Sequence, residues 1–229
     1  MNICVIPARG GSKRIPRKNI KKFAGKPIIE WSISAAVKSK CFDRIIVSTD
    51  DKEIANFSES LGAEVPFYRP HDLSEDFTPT ADVVKHAIEF LQFPDISQVN
   101  VCCLYATAPF IIPTDIRESL LILNSSVCDF VLAVTSYAFP VQRALAINKI
   151  NGSLKMIEPS KFSTRSQDLD ESYHDAGQFC WGTAEAWILT DDPFKNITLP
   201  FNLPRLRVQD IDTVEDWHRA ELIHKALYE

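Results

Sequence analysis

The sequence predicts an α/β fold: a doubly wound, mostly parallel sheet covered by helices. Three observations carry this reading. Short apolar, β-branched runs alternate along the chain with stretches of helical periodicity. The central runs are too uniformly apolar to leave a wet face, as expected of strands buried on both sides. A chain of 229 residues, 45% of them apolar, can bury one large core, so a single domain spanning 1–229 is expected.

In chain order, strands are predicted at Ile3 to Ile6, Arg44 to Ser48, Val65 to Tyr68, Val99 to Tyr105 and Phe130 to Thr135. Helices are predicted at Ile28 to Lys38, Asp51 to Leu61, Thr80 to Leu91 and Thr114 to Leu123, with Gly62 standing where a C-cap belongs. The last helix opens at Thr213, an N-cap hydroxyl with Asp216 three residues on, and continues with Trp217, Ala220, Ile223 and Leu227 at core spacing. Between Ala138 and Trp181 the alternation falters at Pro140, Pro159 and a polar turn at Asn148 to Gly152. That stretch reads as an insertion within the domain. Its Phe139, Leu145, Ile147, Phe162 and Tyr173 are too many apolar side chains for a disordered spacer, and they suit packing on a partner subunit.

Composition removes several function classes. With 25 basic against 30 acidic residues, the chain offers no overall basic surface to a nucleic-acid backbone, so any anion must be met locally. The six cysteines form no C-x-x-C pair and sit in apolar runs, which predicts reduced, packed thiols. None of the five histidines has metal-ligand spacing, so no zinc site is expected. The N-terminus lacks a basic n-region and a long apolar h-region, and no apolar run approaches the ~18 residues of a membrane span. A cytoplasmic protein with no membrane partner is expected.

The most informative stretch is the N-terminal one, where Ile3-Cys4-Val5-Ile6 runs into Pro7-Ala8-Arg9-Gly10-Gly11-Ser12-Lys13-Arg14-Ile15-Pro16-Arg17-Lys18-Asn19. Paired glycines let backbone N–H groups approach an anion, and Arg9, Lys13, Arg14, Arg17 and Lys18 crowd positive charge around the same space. The stretch is neither G-x-x-x-x-G-K-[ST] nor G-x-G-x-x-G, so ordinary kinase and dehydrogenase readings lose ground. A solvated basic turn would explain the charge but not the glycines that follow an apolar run; polyphosphate binding explains both.

A second polar cluster is Arg205-Leu206-Arg207-Val208-Gln209-Asp210-Ile211-Asp212-Thr213. If Leu206 to Asp212 is extended, Asp210 and Asp212 share a face, where two carboxylates call for a cation. Mg²⁺, which takes one or two carboxylates plus phosphate oxygens and water, meets that need. Alternatively the two acids merely end a strand and favour a helix N-terminus. Beside a basic loop at another strand end they suit phosphate chemistry, and in open α/β sheets such groups gather at the carboxyl ends of strands.

These segments, with Phe42-Asp43-Arg44-Ile45-Ile46-Val47-Ser48-Thr49-Asp50, resemble the CMP-sugar synthetases that activate nonulosonic acids, the family of the CMP-sialic acid synthetases. The resemblance runs through the whole chain. It is to the pseudaminic acid branch in Tyr105-Ala106-Thr107-Ala108-Pro109-Phe110, Phe139-Pro140-Val141-Gln142-Arg143-Ala144-Leu145 and Tyr173-His174-Asp175-Ala176-Gly177-Gln178-Phe179. Sialic acid enzymes carry a glutamine where Tyr105 stands and Asn-Gly where this chain has Ala176-Gly177.

The resemblance implies a Rossmann-like nucleotidyltransferase fold. It also implies transfer of CMP from CTP to a nonulosonic acid, pseudaminic acid first and legionaminic or N-acetylneuraminic acid as alternatives. Arg9, Lys13, Lys18 and Asp212 would be catalytic. Ala8, Arg9, Gly10, Gly11, Ser12 and Lys13 would hold the triphosphate and Asn19 the ribose. Arg69 would lie near the cytosine, with Thr78 and Thr80 in the neighbouring loop. Tyr105, Arg143, Arg165, His174 and Gln178 would hold the sugar, Asp210 and Asp212 Mg²⁺, and the insertion at 138–181 a homodimer. Arg69 reads equally as a surface arginine beside Pro70, and His174 as a hydrogen-bonded core histidine. Two other classes stay open: a glycosyltransferase with a D-x-D metal site, and a non-catalytic nucleotide-binding protein.

Overall fold

The computed structural model describes residues 1–190 and 192–229. Its elements are β1 (Asn2–Pro7), β2 (Lys22–Phe23), β3 (Lys26–Pro27), α1 (Ile28–Ser39), β4 (Arg44–Ser48), α2 (Lys52–Ser60), α3 (Thr80–Leu91), β5 (Asn100–Leu104) and α4 (Pro113–Ser125). They continue with β6 (Phe130–Ser136), β7 (Leu145–Ile147), β8 (Leu154–Met156), β9 (Tyr173–Thr183), α5 (Ala184–Leu189), β10 (Thr198–Asn202) and α6 (Val214–Tyr228).

The main sheet has the order β10-β6-β9-β5-β1-β4. β1 is parallel to β4 and β5, β6 is parallel to β10, and β9 runs antiparallel to both β5 and β6. Five strands therefore end at one edge, and β9 begins there. Side chains alternate between two apolar layers. Cys4, Ile6, Val47, Cys102, Leu104 and Val131 face α1, α2 and α4, whereas Ile3, Val5, Val101, Cys103, Phe130 and Leu132 face α3 and α5. This is the expected doubly wound α/β arrangement. All six cysteines are unpaired thiols, and burial pushes Cys103 up to about 12.

The predicted helices are present with their signals in place. Asp51 caps α2 by accepting the N–H groups of Glu53 and Ile54 at 2.9 and 3.0 Å. Gly62, at φ +89, closes the same helix: its N–H donates to Glu59 O, and Ala63 N–H donates to Ser58 O, the paired bonds of a Schellman motif. Thr213 and Asp216 form the reciprocal capping box at the start of α6.

Three sequence expectations need correction, and one strand was not foreseen. Val65 to Tyr68 forms no strand: isolated bridges stand only at Glu64, just before it, and at Tyr68, because Pro66 cannot donate to a ladder. Leu206 to Asp212 is not extended: a 3-10 turn at Arg205–Arg207 leads into irregular chain. β10 was not expected; its Pro200 is tolerated because the strand lies at the sheet edge. Finally, residues 173–181, read as insertion, belong to β9 in the middle of the sheet, where the polar Tyr173 to Gly177 start hides the buried Gln178 to Trp181 run. The segment outside the sheet is 137–172, carrying the β7–β8 hairpin and bare apolar side chains such as Ile150, 96% exposed, and Phe139, 83% exposed.

A third apolar cluster, away from the sheet, decides where the polar loops lie. Phe23, Ile28, Phe110 and Trp217 pack there, with Trp217 edge-on to Phe23 at 5.6 Å between ring centroids. Ile15 from the basic loop and Ile211 from between the two aspartates are buried in the same cluster. Ile211→Ala removes most of a fully buried side chain and is expected to cost about 2–5 kcal/mol of unfolding free energy. Urea unfolding measures this; a loss below ~1 kcal/mol would contradict the packing described.

Candidate active site

The basic loop leaves β1 at the edge where the parallel strands end. Ala8 is buried, and its N–H continues the β4 pairing by donating to Ser48 O at 2.9 Å. Gly10 comes so close to the start of α2 that a Cβ there would stand 2.7 Å from Asp51 Oδ2, which is why no side chain fits. Its N–H donates to Asp50 Oδ1 at 2.8 Å. The Gly10 amide is therefore taken by protein in the free chain, whereas Gly11 has open space around it. Arg17 adopts φ 56 and pairs with Asp51 and Glu53, both at 2.5 Å. The Arg17 guanidinium holds the Asp51 carboxyl below the usual carboxylate range.

Two acids organise the remaining cations. Asp76, from the loop before α3, pairs with Arg9 Nη1 at 2.6 Å and with Lys13 Nζ. Asp212 pairs with Arg14 Nη2 at 3.0 Å and with Lys18 Nζ at 3.4 Å, and Lys18 also donates to Ile211 O at 2.7 Å. Together with Ser12, Asn19 and Asp210 these groups line one cleft of about 350 Å³. Asn19 is buried and donates to Arg9 O at 2.9 Å, so it supports the loop from behind.

Arg69 is 6% exposed, which excludes the surface-arginine reading. It donates to Ser48 Oγ at 3.1 Å and to Ser48 O, and burial pulls its guanidinium down to about 10. Thr78 and Thr80 border the same cleft; Thr78 Oγ1 donates to Asp72 O at 3.2 Å. Tyr105, just past β5, also lines the cleft together with Thr80, and burial pushes its phenol well above the ordinary range.

The other expected sugar residues do not gather there within one chain. Gln178 is buried and donates to Arg207 O at 2.5 Å, leaving its Oε1 without a partner. Arg207 in turn makes a two-pronged pair with buried Asp115 at 2.5 and 3.3 Å, so Gln178 and Asp115 hold the chain leading to Asp210. Arg143 and Arg165 lie in the 137–172 segment, where Arg143 bonds Ser166 and Thr164 and Arg165 bonds Asp168 at 2.8 Å. His174 is half-buried against the Tyr137 ring, its Nδ1 2.8 Å from Asp175 O.

Asp210 and Asp212 interact through space. Burial and the neighbouring Asp212 push the Asp210 carboxyl above its ordinary value, against the pull of Lys18. Among the described residues no three His, Cys, Asp or Glu side chains converge on a point, so the protein offers two carboxylates only. That donor set fits Mg²⁺ completed by phosphate oxygens and water. A carboxylate also sits near Gly177, whose added Cβ would lie 3.7 Å from Asp210 Oδ1. Sequence reasoning missed Asp76 and Asp115, which carry no local signature, and read Asp50 only as the end of a strand motif and Asp51 only as the start of a helix.

A family model described as cytidylyltransferase matches residues 3–170. A pseudaminic acid cytidylyltransferase of Campylobacter jejuni subsp. jejuni serotype O:2 is 43% identical over 228 residues, 100% of this chain and 98% of that protein. A CMP-N,N'-diacetyllegionaminic acid synthase of Legionella pneumophila subsp. pneumophila is 34% identical, covering 96% of this chain and 94% of that one. Among solved structures, a CMP:2-keto-3-deoxy-manno-octonic acid synthetase complexed with CTP superposes with a TM-score of 0.68 at 15% identity over 98% of both chains, a likeness of fold. The chain belongs to the cytidylyltransferase family and is a nucleotidyltransferase.

Proposed function

We propose that the chain transfers CMP from CTP to the anomeric hydroxyl of pseudaminic acid, giving CMP-pseudaminic acid and pyrophosphate. The observation that carries this reading is the meeting of Arg9, Lys13, Arg14 and Lys18 with Asp210 and Asp212 in one cleft. It is joined by the 43% identity to a pseudaminic acid enzyme over the full chain. The hydroxyl oxygen bonds to the α-phosphorus, the bond from that phosphorus to the β-phosphate bridge breaks, pyrophosphate leaves, and the hydroxyl proton passes to solvent or buffer.

Four negative charges oppose an incoming oxygen, so the chain's main task is to neutralise and align them. Arg9, Lys13 and Lys18 are assigned that role, with Ser12 and the open backbone at Gly11 beside them. The Gly10 amide joins only if Asp50 releases it. Asp210 and Asp212 are assigned to hold Mg²⁺, which when bound offsets phosphate charge and lowers the pKa of a hydroxyl near it. Asn19 supports the ribose end through its hold on Arg9. Arg69 is assigned to the base, and Tyr105 to the mouth of the sugar site.

A homodimer completes the sugar site in this reading. The 137–172 segment exposes Phe139, Ile147, Ile150 and Phe162 to solvent in the single chain, a surface suited to burial against a second copy. Across that contact Arg143, Arg165 and His174 reach the neighbour's cleft, where arginine forks suit a sugar carboxylate. A cytoplasmic location follows from the use of CTP.

Pyrophosphate release from CTP and Mg²⁺ is expected with pseudaminic acid and not when UTP or ATP replaces CTP. Release only with legionaminic or N-acetylneuraminic acid would keep the reaction and change the sugar; none with any of them, despite CTP binding, would sink the enzyme reading. Asp212→Ala is expected to lower kcat by at least about 10³-fold with an unchanged circular dichroism spectrum, and retained turnover would remove its metal role. Light scattering after size exclusion should give twice the chain mass at micromolar concentration. A monomer there would remove the dimer.

A further inference from the structure

Asp76 is an acid in a place where an incoming polyphosphate needs positive charge. It belongs to the loop between the 3-10 turn at His71–Leu73 and α3, and it caps no helix. Its carboxylate has two partners, Arg9 Nη1 at 2.6 Å through one oxygen and Lys13 Nζ through the other. These are two of the three side chains assigned to the triphosphate. The arrangement places an anion of the protein's own on its phosphate-binding cations, with one oxygen for each, as a phosphate group would offer.

The loop that carries Asp76 is lightly held. Thr78 N–H reaches Glu75 O only at 3.4 Å, Thr78 Oγ1 reaches Asp72 O at 3.2 Å, and the adjacent Phe77 is 95% exposed, with no apolar seat. Lys13 and Arg9 hold the Asp76 carboxyl below the usual carboxylate range. Lys13 is 79% exposed, so the contact is open to solvent and can exchange with a soluble anion.

Resting on the assignment of Arg9 and Lys13 to the triphosphate, we propose that Asp76 is an internal competitor for polyphosphate. It occupies both cations in the free enzyme, yields them to CTP, and reclaims them from pyrophosphate once CMP has been transferred. Any ligand that uses both cations must displace the same two ion pairs, so Asp76 weakens CTP and pyrophosphate by one common factor and leaves a phosphate-free ligand untouched. The benefit falls at the end of the cycle. Pyrophosphate has no base or sugar to hold it and is the ligand most readily expelled by a returning carboxylate. Asp76 is thus a residue that tunes affinity for the leaving product, acting through Arg9 and Lys13.

The test is Asp76→Asn in the full chain, which removes the charge and keeps the shape. Calorimetric titration of both proteins with CTP, inorganic pyrophosphate and cytidine is run with and without Mg²⁺. Exposed ion pairs are weak, so two of them predict a tightening of roughly two- to thirty-fold for CTP and for pyrophosphate alike. Cytidine affinity stays constant, and pyrophosphate inhibits turnover at correspondingly lower concentration. Unchanged or weaker pyrophosphate binding overturns the proposal. Weakening confined to the Mg²⁺ arm would make Asp76 a metal-binding residue, and weakening that extends to cytidine would make it a loop-positioning residue; either result also overturns it. Failure of the unaltered protein to bind CTP would instead strike the function proposed above, a separate result because the pyrophosphate arm reads Asp76 without CTP.

Discussion

The site depends on one constraint: two loops of opposite charge are seated in the same apolar cluster. Ile15 stands between Arg14 and Pro16, and Ile211 stands between Asp210 and Asp212, and both are buried with Trp217 and Phe110. Polar side chains that flank a buried anchor have little choice of direction. Burying Ile15 and Ile211 in one cluster brings the basic loop to Asp212, where Arg14 and Lys18 pair with it. The hydrophobic effect supplies the stability, and the sequence neighbours of the anchors supply the chemistry.

A second layer of restraint surrounds that pair. The Thr213–Asp216 capping box fixes the chain just after Asp212, and Asp216 also accepts the Asp212 N–H at 3.2 Å. Upstream, the Asp115–Arg207 pair and the Gln178 side chain fix the chain just before Asp210. On the other side, Asp51 works three ways, capping α2, pairing with Arg17 and crowding Gly10 into its narrow passage. The loop geometry thus rests on neutral packing and on acids at the periphery, which leaves Arg9, Lys13, Arg14 and Lys18 in exchangeable pairs.

How much of this was legible in the sequence follows from how local each signal is. Caps and periodicity involve residues a few positions apart, so Gly62, Thr213 with Asp216, and the buried stripe of α6 could be read directly. The strands of β1, β4, β5 and β6 are uniformly apolar and showed themselves for the same reason. β9 did not, because its first half faces the polar cleft edge and only its second half is buried, and β10 is a short edge strand whose Pro200 argues against a strand in the sequence. At the site, the glycine loop and Asp210-x-Asp212 were visible as motifs, although the aspartates meet the loop through a seated isoleucine and not through a strand. Asp76 and Asp115 lie 67 and 92 residues from their arginine partners, and no spacing rule reaches so far.

The reversal of β9 has an engineering consequence. Because it runs against its neighbours, the chain leaves the cleft edge at the end of β6 and returns to the same edge at the start of β9. The intervening stretch is a closed excursion, with Val134 beside Asp175 and Ser136 beside Tyr173 at its base. None of the basic loop's seats lies on it. A segment built this way can be exchanged as one cassette between Ser136 and Tyr173, leaving in place the strands that carry the basic loop and the Gln178 bond that holds the chain before Asp210.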